Sequence, residues 1–147
     1  MRRIDYLVGT HDFQLLKAEQ FMQDNVFAYR PHNTGMTLAQ VMTEHGFGSV
    51  PIVDKDHKLI GIVSEFDLLK ALMEGKELDK VSARDLMTWD PVRVTPDAPA
   101  KELIRLLEEK HLIRMPVVDT DGKLVGVVAR RDILQGYVYA TRGTKVF

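Results

Sequence analysis

The chain has 147 residues, a formal net charge of -1 and 45% hydrophobic residues, a balance that suits one compact domain or two very small ones. Near-neutral charge argues against a general nucleic-acid surface, which needs a basic excess to neutralise phosphates. No cysteine is present, so disulfides, thiolate catalysis and cysteine-ligated zinc are excluded.

In chain order, residues 1–17 read as an N-terminal extension. Arg2 and Arg3 give it positive charge, but Thr10, His11, Asp12 and Gln14 break any apolar run. No stretch approaches the roughly 20 apolar residues of a membrane span, so a cytoplasmic protein with no membrane partner is expected. Residues 11–23 are predicted as a lead-in helix. An extended piece follows at 25–29, then a helix carried by the apolar rhythm of Leu38, Val41 and Met42. Two short apolar strands come next, split by a polar turn around Asp54 and Asp56. A second helix is predicted from Glu65 to about Met73, stopped by Gly75. Residues 75–82 read as a charged, solvated linker.

The same order then returns. Pro91-Val92-Arg93-Val94 is extended. Ala100, Leu103, Ile104 and Leu107 mark a helix, with Asp97 as its N-cap. Asp119-Thr120-Asp121-Gly122-Lys123 is a hairpin turn, with Gly122 able to take positive φ. A last helix is predicted from Arg130 to about Gln135, stopped by Gly136, with 136–147 as a tail. The recurrence is a true internal repeat. From Met22/Met87 to Leu69/Leu134 the offset is a constant 65 without a gap, and 14 of those 48 pairs are identical. Each copy, 18–74 and 83–135, reads β-α-β-β-α. One copy buries little apolar surface alone, so two packed together are expected.

These residues resemble a family. Val81 to Asp97 looks like the opening of a CBS (cystathionine-β-synthase) domain, and Ile113 to Asp119 with Gly126 to Leu134 looks like its close. Copy one is similar but looser in its first third. The resemblance covers about residues 18 to 135 and implies an α/β, α+β-like fold: two repeats related by an approximate two-fold axis, as in a stand-alone bacterial or archaeal tandem CBS protein. It further implies ligand clefts between the repeats, homodimers that form a flat four-repeat disc, and a non-catalytic regulatory role toward an effector protein. The implied ligand is AMP, ADP or ATP. Cyclic di-AMP, S-adenosylmethionine and a ligand-free structural dimerisation module are the alternatives.

The family's site signature is Gly-apolar-x-Ser/Thr-x-x-Asp. Copy one has it complete, Gly61-Ile62-Val63-Ser64-Glu65-Phe66-Asp67, and copy two reads Gly126-Val127-Val128-Ala129-Arg130-Arg131-Asp132. The pattern puts a carboxylate at a helix N-terminus, where free N–H groups favour phosphate. An ionised Asp accepts only, so it can take both hydroxyl protons of a ribose diol. Ser-x-x-Asp is equally a capping box that simply starts a helix. The resemblance implies ribose contacts at Asp67 and Asp132. Phosphate contacts fall to Ser64, Arg114, Arg130 and Arg131, since a guanidinium fork suits phosphate. Arg130 and Arg131 also read as solvated helix charges. Ser49 stands where copy two has Arg114, and Glu65 adds negative charge, so copy one is the poorer phosphate site. By resemblance each base is held by the opposite repeat: Phe27, Phe47 and Gly48 serve the cleft of Asp132, and Val92, Leu112 and Ile113 that of Asp67. Phe27 and Phe47 read equally as core or dimer residues.

Other features carry no chemistry. His11, His32, His45, His57 and His111 lack a metal spacing. Asp54/Asp56 and Asp119/Asp121 are turn formers first. The methionines at apolar positions suit packing. No nucleophile-base pair or Gly-rich phosphate loop is evident, so no enzyme, metal or cofactor is expected. Apolar helix segments, Leu68-Leu69-Leu72 and Ile133-Leu134, imply a homodimer face.

Overall fold

The computed structural model describes residues 13–142. A 3-10 turn, Phe13–Leu15, precedes α1 (Ala18–Phe21). Then come α2 (Gly35–His45), β1 (Ser49–Val53), β2 (Leu59–Ser64) and α3 (Glu65–Met73). A second 3-10 turn, Leu78–Lys80, leads to α4 (Ala83–Leu86), β3 (Thr88–Trp89), α5 (Ala100–Glu109), β4 (Arg114–Val118), β5 (Leu124–Ala129) and α6 (Arg130–Arg142). This is the paired β-α-β-β-α order, with the first β of each copy reduced to one parallel bridge: Tyr29 to Ile52, and Val94 to Val117.

Space divides the chain differently from the repeat. One unit holds residues 27–91 and 122–124; the other holds the described residues 13–26, 92–121 and 125–142. The leader of each copy therefore joins the body of the other, and the two cuts, after Val26 and after Pro91, are again 65 residues apart.

In the first unit, β2 lies between β1 and β3 in an antiparallel sheet, with Ser49 opposite Ser64 and Gly61 opposite Trp89. Helix α2 buries Leu38 and Met42, one turn apart, on Val50, Ile52 and Val63. Thr34 caps it by accepting from the Thr37 N–H at 3.2 Å, and Gly46 ends it in the left-handed conformation. Ala83 and Met87 from the second leader complete this core. Leu78 is buried there too, so the linker is anchored by an apolar residue rather than solvated throughout. The turn is built by Asp54, whose Oδ1 accepts from the N–H groups of Asp56 and Lys58. Those contacts, the Lys58 one foremost, hold its carboxyl below the usual range.

In the second unit, β4 and β5 form a two-stranded sheet. Its core gathers Leu103, Leu107, Met115, Val117, Val128 and Ile133 with Leu16, Ala18, Phe21 and Met22 of the first leader. Four expectations change here. The lead-in helix is broken into the 3-10 turn and four-residue α1, because Leu16 and Ala18 dock on the core, where the Leu16 carbonyl accepts from the Ala100 N–H at 2.7 Å; His11 and Asp12 lie outside the described residues. Asp97 does not cap α5. Pro99 holds the cap position, and Asp97 instead accepts from the Thr95 hydroxyl. Ile104 faces outward. Helix α6 runs through Gly136 to Arg142, since Gly136, Tyr139 and Ala140 continue the buried stripe begun by Ile133. That burial outweighs the roughly 1 kcal/mol a mid-helix glycine costs.

Candidate functional site

The glycine that opens each motif is explained by packing. A Cβ on Gly61 would sit 2.4 Å from Met87 Sδ, and one on Gly126 would sit 2.5 Å from Met22 Sδ. The leader methionine crosses the strand where only a hydrogen leaves room. In the second unit this close approach pins the next residue, Gln23, to β5. Its N–H donates to the Val127 carbonyl and its carbonyl accepts from the Val127 N–H, both at 2.9 Å.

Six residues on from Gly61, Asp67 starts α3. Its Oδ2 accepts from the Ser64 N–H at 2.7 Å and from Ser64 Oγ at 3.0 Å, while Ser64 Oγ accepts from the Asp67 N–H at 3.3 Å. The capping-box function of this motif is realised in full. In copy two Ala129 has no hydroxyl, so only half the box survives: Asp132 Oδ2 accepts from the Ala129 N–H at 2.8 Å. The other oxygen, Oδ1, accepts from Gln23 Nε2 at 3.0 Å. Asp132 is 4% exposed, the one charged side chain among the described residues that is buried. A buried carboxylate needs a counter-charge and donors. Arg114, half-buried at the start of β4, is the cation that interacts with it. Burial pulls the guanidinium below its ordinary pKa, and the Asp132 charge opposes that shift.

Arg130 and Arg131 are both exposed at the first turn of α6. The Arg130 N–H donates to the Ile113 carbonyl at 3.0 Å, and in copy one the Glu65 N–H donates to the Gly48 carbonyl at 3.1 Å. So Gly48 and Ile113 fix the strand-to-helix corners with their backbones. Val92 and Leu112 are half-buried on the second core, whereas Ile113 is exposed. Phe27 and Phe47 lie together with His45 in one aromatic group. Ring centroids are 4.6 Å apart for Phe27 and His45, and 5.5 Å apart for His45 and Phe47. Sequence reasoning sorted His45 by metal spacing alone and missed this group, although it lies two residues from Phe47. Gln23 was missed as well; nothing local marks a residue that meets its partner 109 positions away.

The assigned residues therefore gather in two sets. The first unit holds Ser64 and Asp67 with Phe27, Phe47 and Gly48. The second holds Arg114, Arg130, Arg131 and Asp132 with Val92, Leu112 and Ile113. Among the described residues no three His, Asp or Glu side chains come together as a metal site, and no helix is long and apolar enough to cross a membrane.

The chain is similar to known proteins. The sequence profile of the CBS domain matches residues 18–74 and 83–139. An uncharacterized protein of Methanopyrus kandleri is 41% identical over 120 residues, which is 80% of this chain and 61% of that protein. Hypoxic response protein 1 of Mycobacterium tuberculosis is 31% identical over 79% of this chain and 81% of its own length. A crystal structure of Hypoxic Response Protein I, with two coordinated zinc ions, matches at TM-score 0.73 and 30% identity over 80% of this chain and 96% of that one. CBSX2 of Arabidopsis thaliana, solved in complex with AMP, matches at TM-score 0.73 and 25% identity over 83% and 96%. The chain also spans 26% and 25% of two archaeal inosine-5'-monophosphate dehydrogenases, from Korarchaeum cryptofilum and Methanocaldococcus jannaschii. CBSX2 is itself a CBS-pair protein.

Proposed function

This chain belongs to the CBS domain family, and from that premise we propose that it is a regulatory sensor module that binds an adenine nucleotide, AMP, ADP or ATP, and acts on an effector protein. The observation that carries this reading is the corner of the second unit, where a buried carboxylate at a helix start interacts with a half-buried guanidinium. Asp132 is suited to a ribose diol and Arg114 to a phosphate, and the helix N-terminus adds its own pull on the anion. The AMP complex of CBSX2 supports the ligand class. Arg130 and Arg131 add positive charge beside the phosphate. Asp67 and Ser64 form a second, weaker site, since Ser49 and Glu65 stand where Arg114 and Arg130 stand in copy two. Phe27 and Phe47, grouped with His45, offer one base a stacking surface together with Gly48, and Val92, Leu112 and Ile113 are the base contacts of the other ligand.

A ligand of this kind acts by favouring one arrangement of the protein, within the limit of its differential affinity. Titration calorimetry with AMP, ADP, ATP, S-adenosylmethionine and cyclic di-AMP tests the proposal. Tightest binding by an adenine nucleotide, recovered unchanged afterwards, is the expected result; no heat from any of the three nucleotides overturns it.

Homodimer formation has its own support. Leu68 and Ile133 are core residues, whereas Leu69, Leu72 and Leu134 of the same two segments are exposed. The outward face of α3 carries Phe66 at 81% exposure and Met73 at 88%, with Leu69 and Leu72 beside them, and Leu134 and Tyr137 are exposed on α6. An apolar surface of this kind is covered by association. Light scattering at micromolar concentration should give twice the chain mass, and Phe66→Glu should lower it; a monomer mass for the parent chain ends this reading.

A further inference from the structure

The two motif aspartates are held differently. The terminal torsion of an aspartate joins sp3 to sp2 carbon and is broad, so the plane of its carboxylate is set by its partners and not by a rotamer. At Asp67 both Ser64 donors fall on one oxygen, Oδ2. At Asp132 the two oxygens are taken from two separate chain segments: Oδ2 by the Ala129 N–H of its own corner, and Oδ1 by the Gln23 amide of the leader. Gln23 can do this because its backbone is pinned to Val127 in both directions and Gly126 admits Met22 at the same point. Thr88, at the matching position of the other leader, is too short to copy it.

We infer that Gln23 is a positioning residue for the sugar: its amide fixes the plane of the Asp132 carboxylate and thereby sets the preference for a ribose that carries both hydroxyls. The inference rests on the adenine-nucleotide reading above. A diol donates two hydrogen bonds of fixed spacing, so it gains most from a carboxylate already turned to meet them. A sugar that lacks one hydroxyl loses little when that orientation is loosened.

The test is titration of the full chain with AMP and with 2'-deoxy-AMP, in the parent and in Gln23→Met and Gln23→Ala. Methionine keeps most of the side-chain volume without the donor, which guards against a folding defect in the alanine variant. The parent should prefer AMP by about tenfold, the scale of one charge-assisted hydrogen bond. Both variants should reduce that preference to about threefold or less, through weaker AMP binding with 2'-deoxy-AMP held within about twofold. Equal weakening of both nucleotides, or an unchanged preference, overturns the role of Gln23 while leaving nucleotide binding intact. A parent that binds neither nucleotide removes the nucleotide reading and this inference together.

Discussion

The corners at Asp67 and Asp132 start from the same repeat position and end as different devices. In the first, the carboxylate is half-buried and bonds to Ser64, three residues away, so it serves the helix it begins. In the second, Ser64 becomes Ala129, Ser49 becomes Arg114 and Thr88 becomes Gln23. The hydroxyl of the cap is lost, and a buried charge held by two distant groups takes its place. A duplicated motif can thus keep its backbone role in one copy and, with three changes, concentrate charge in the other.

The largest effect should separate the corners directly. Asp132→Ala leaves Arg114 half-buried without its carboxylate and is expected to cost about 3 kcal/mol or more in urea unfolding. Asp67→Ala loses a capping interaction and should cost about 1 kcal/mol. Equal losses would break the comparison.

Both motif glycines should be costly to replace, Gly126 the more so because its Cβ would also meet the Gln23 carbonyl oxygen at 3.0 Å. Gly61→Ala and Gly126→Ala each force a methionine off its strand, at about 1–3 kcal/mol. Double-mutant cycles with Met87→Ala and Met22→Ala, respectively, should recover part of that cost; strictly additive losses would mean the methionines are not what excludes the Cβ.

On binding, Arg114→Ala should weaken AMP by about tenfold, and Ser64→Ala by less than about threefold, measured by calorimetry. The reverse ranking would move the main phosphate site to copy one.

The smallest effect concerns the hairpin turns. His57 has a φ of 66°, where its repeat partner Gly122 has 83°. His57→Gly should therefore stabilise the chain by about 0.5–1 kcal/mol, and a loss of stability would show that the imidazole itself contributes to the turn.

What could be read along the chain was whatever is made by near neighbours. Asp54 and Asp119 reach N–H groups two to four residues away, and Ser64 and Asp67 close a box over three, so the turns and the start of α3 followed from spacing alone. The constant offset of 65 did the same for the pairing of elements, because a duplicated chain repeats its local preferences. Only the tertiary structure decided what depends on partners far apart in sequence. It assigned each leader to the other copy's core. It carried α6 past Gly136, because Tyr139 and Ala140 found an apolar surface there. It gave the motif glycines their steric purpose against Met22 and Met87, and it brought Gln23 to Asp132. Periodicity and capping signals report a residue's own helix or strand. They do not say which buried surface that element will meet, and the free energy of burial, which makes that choice, belongs to the folded whole.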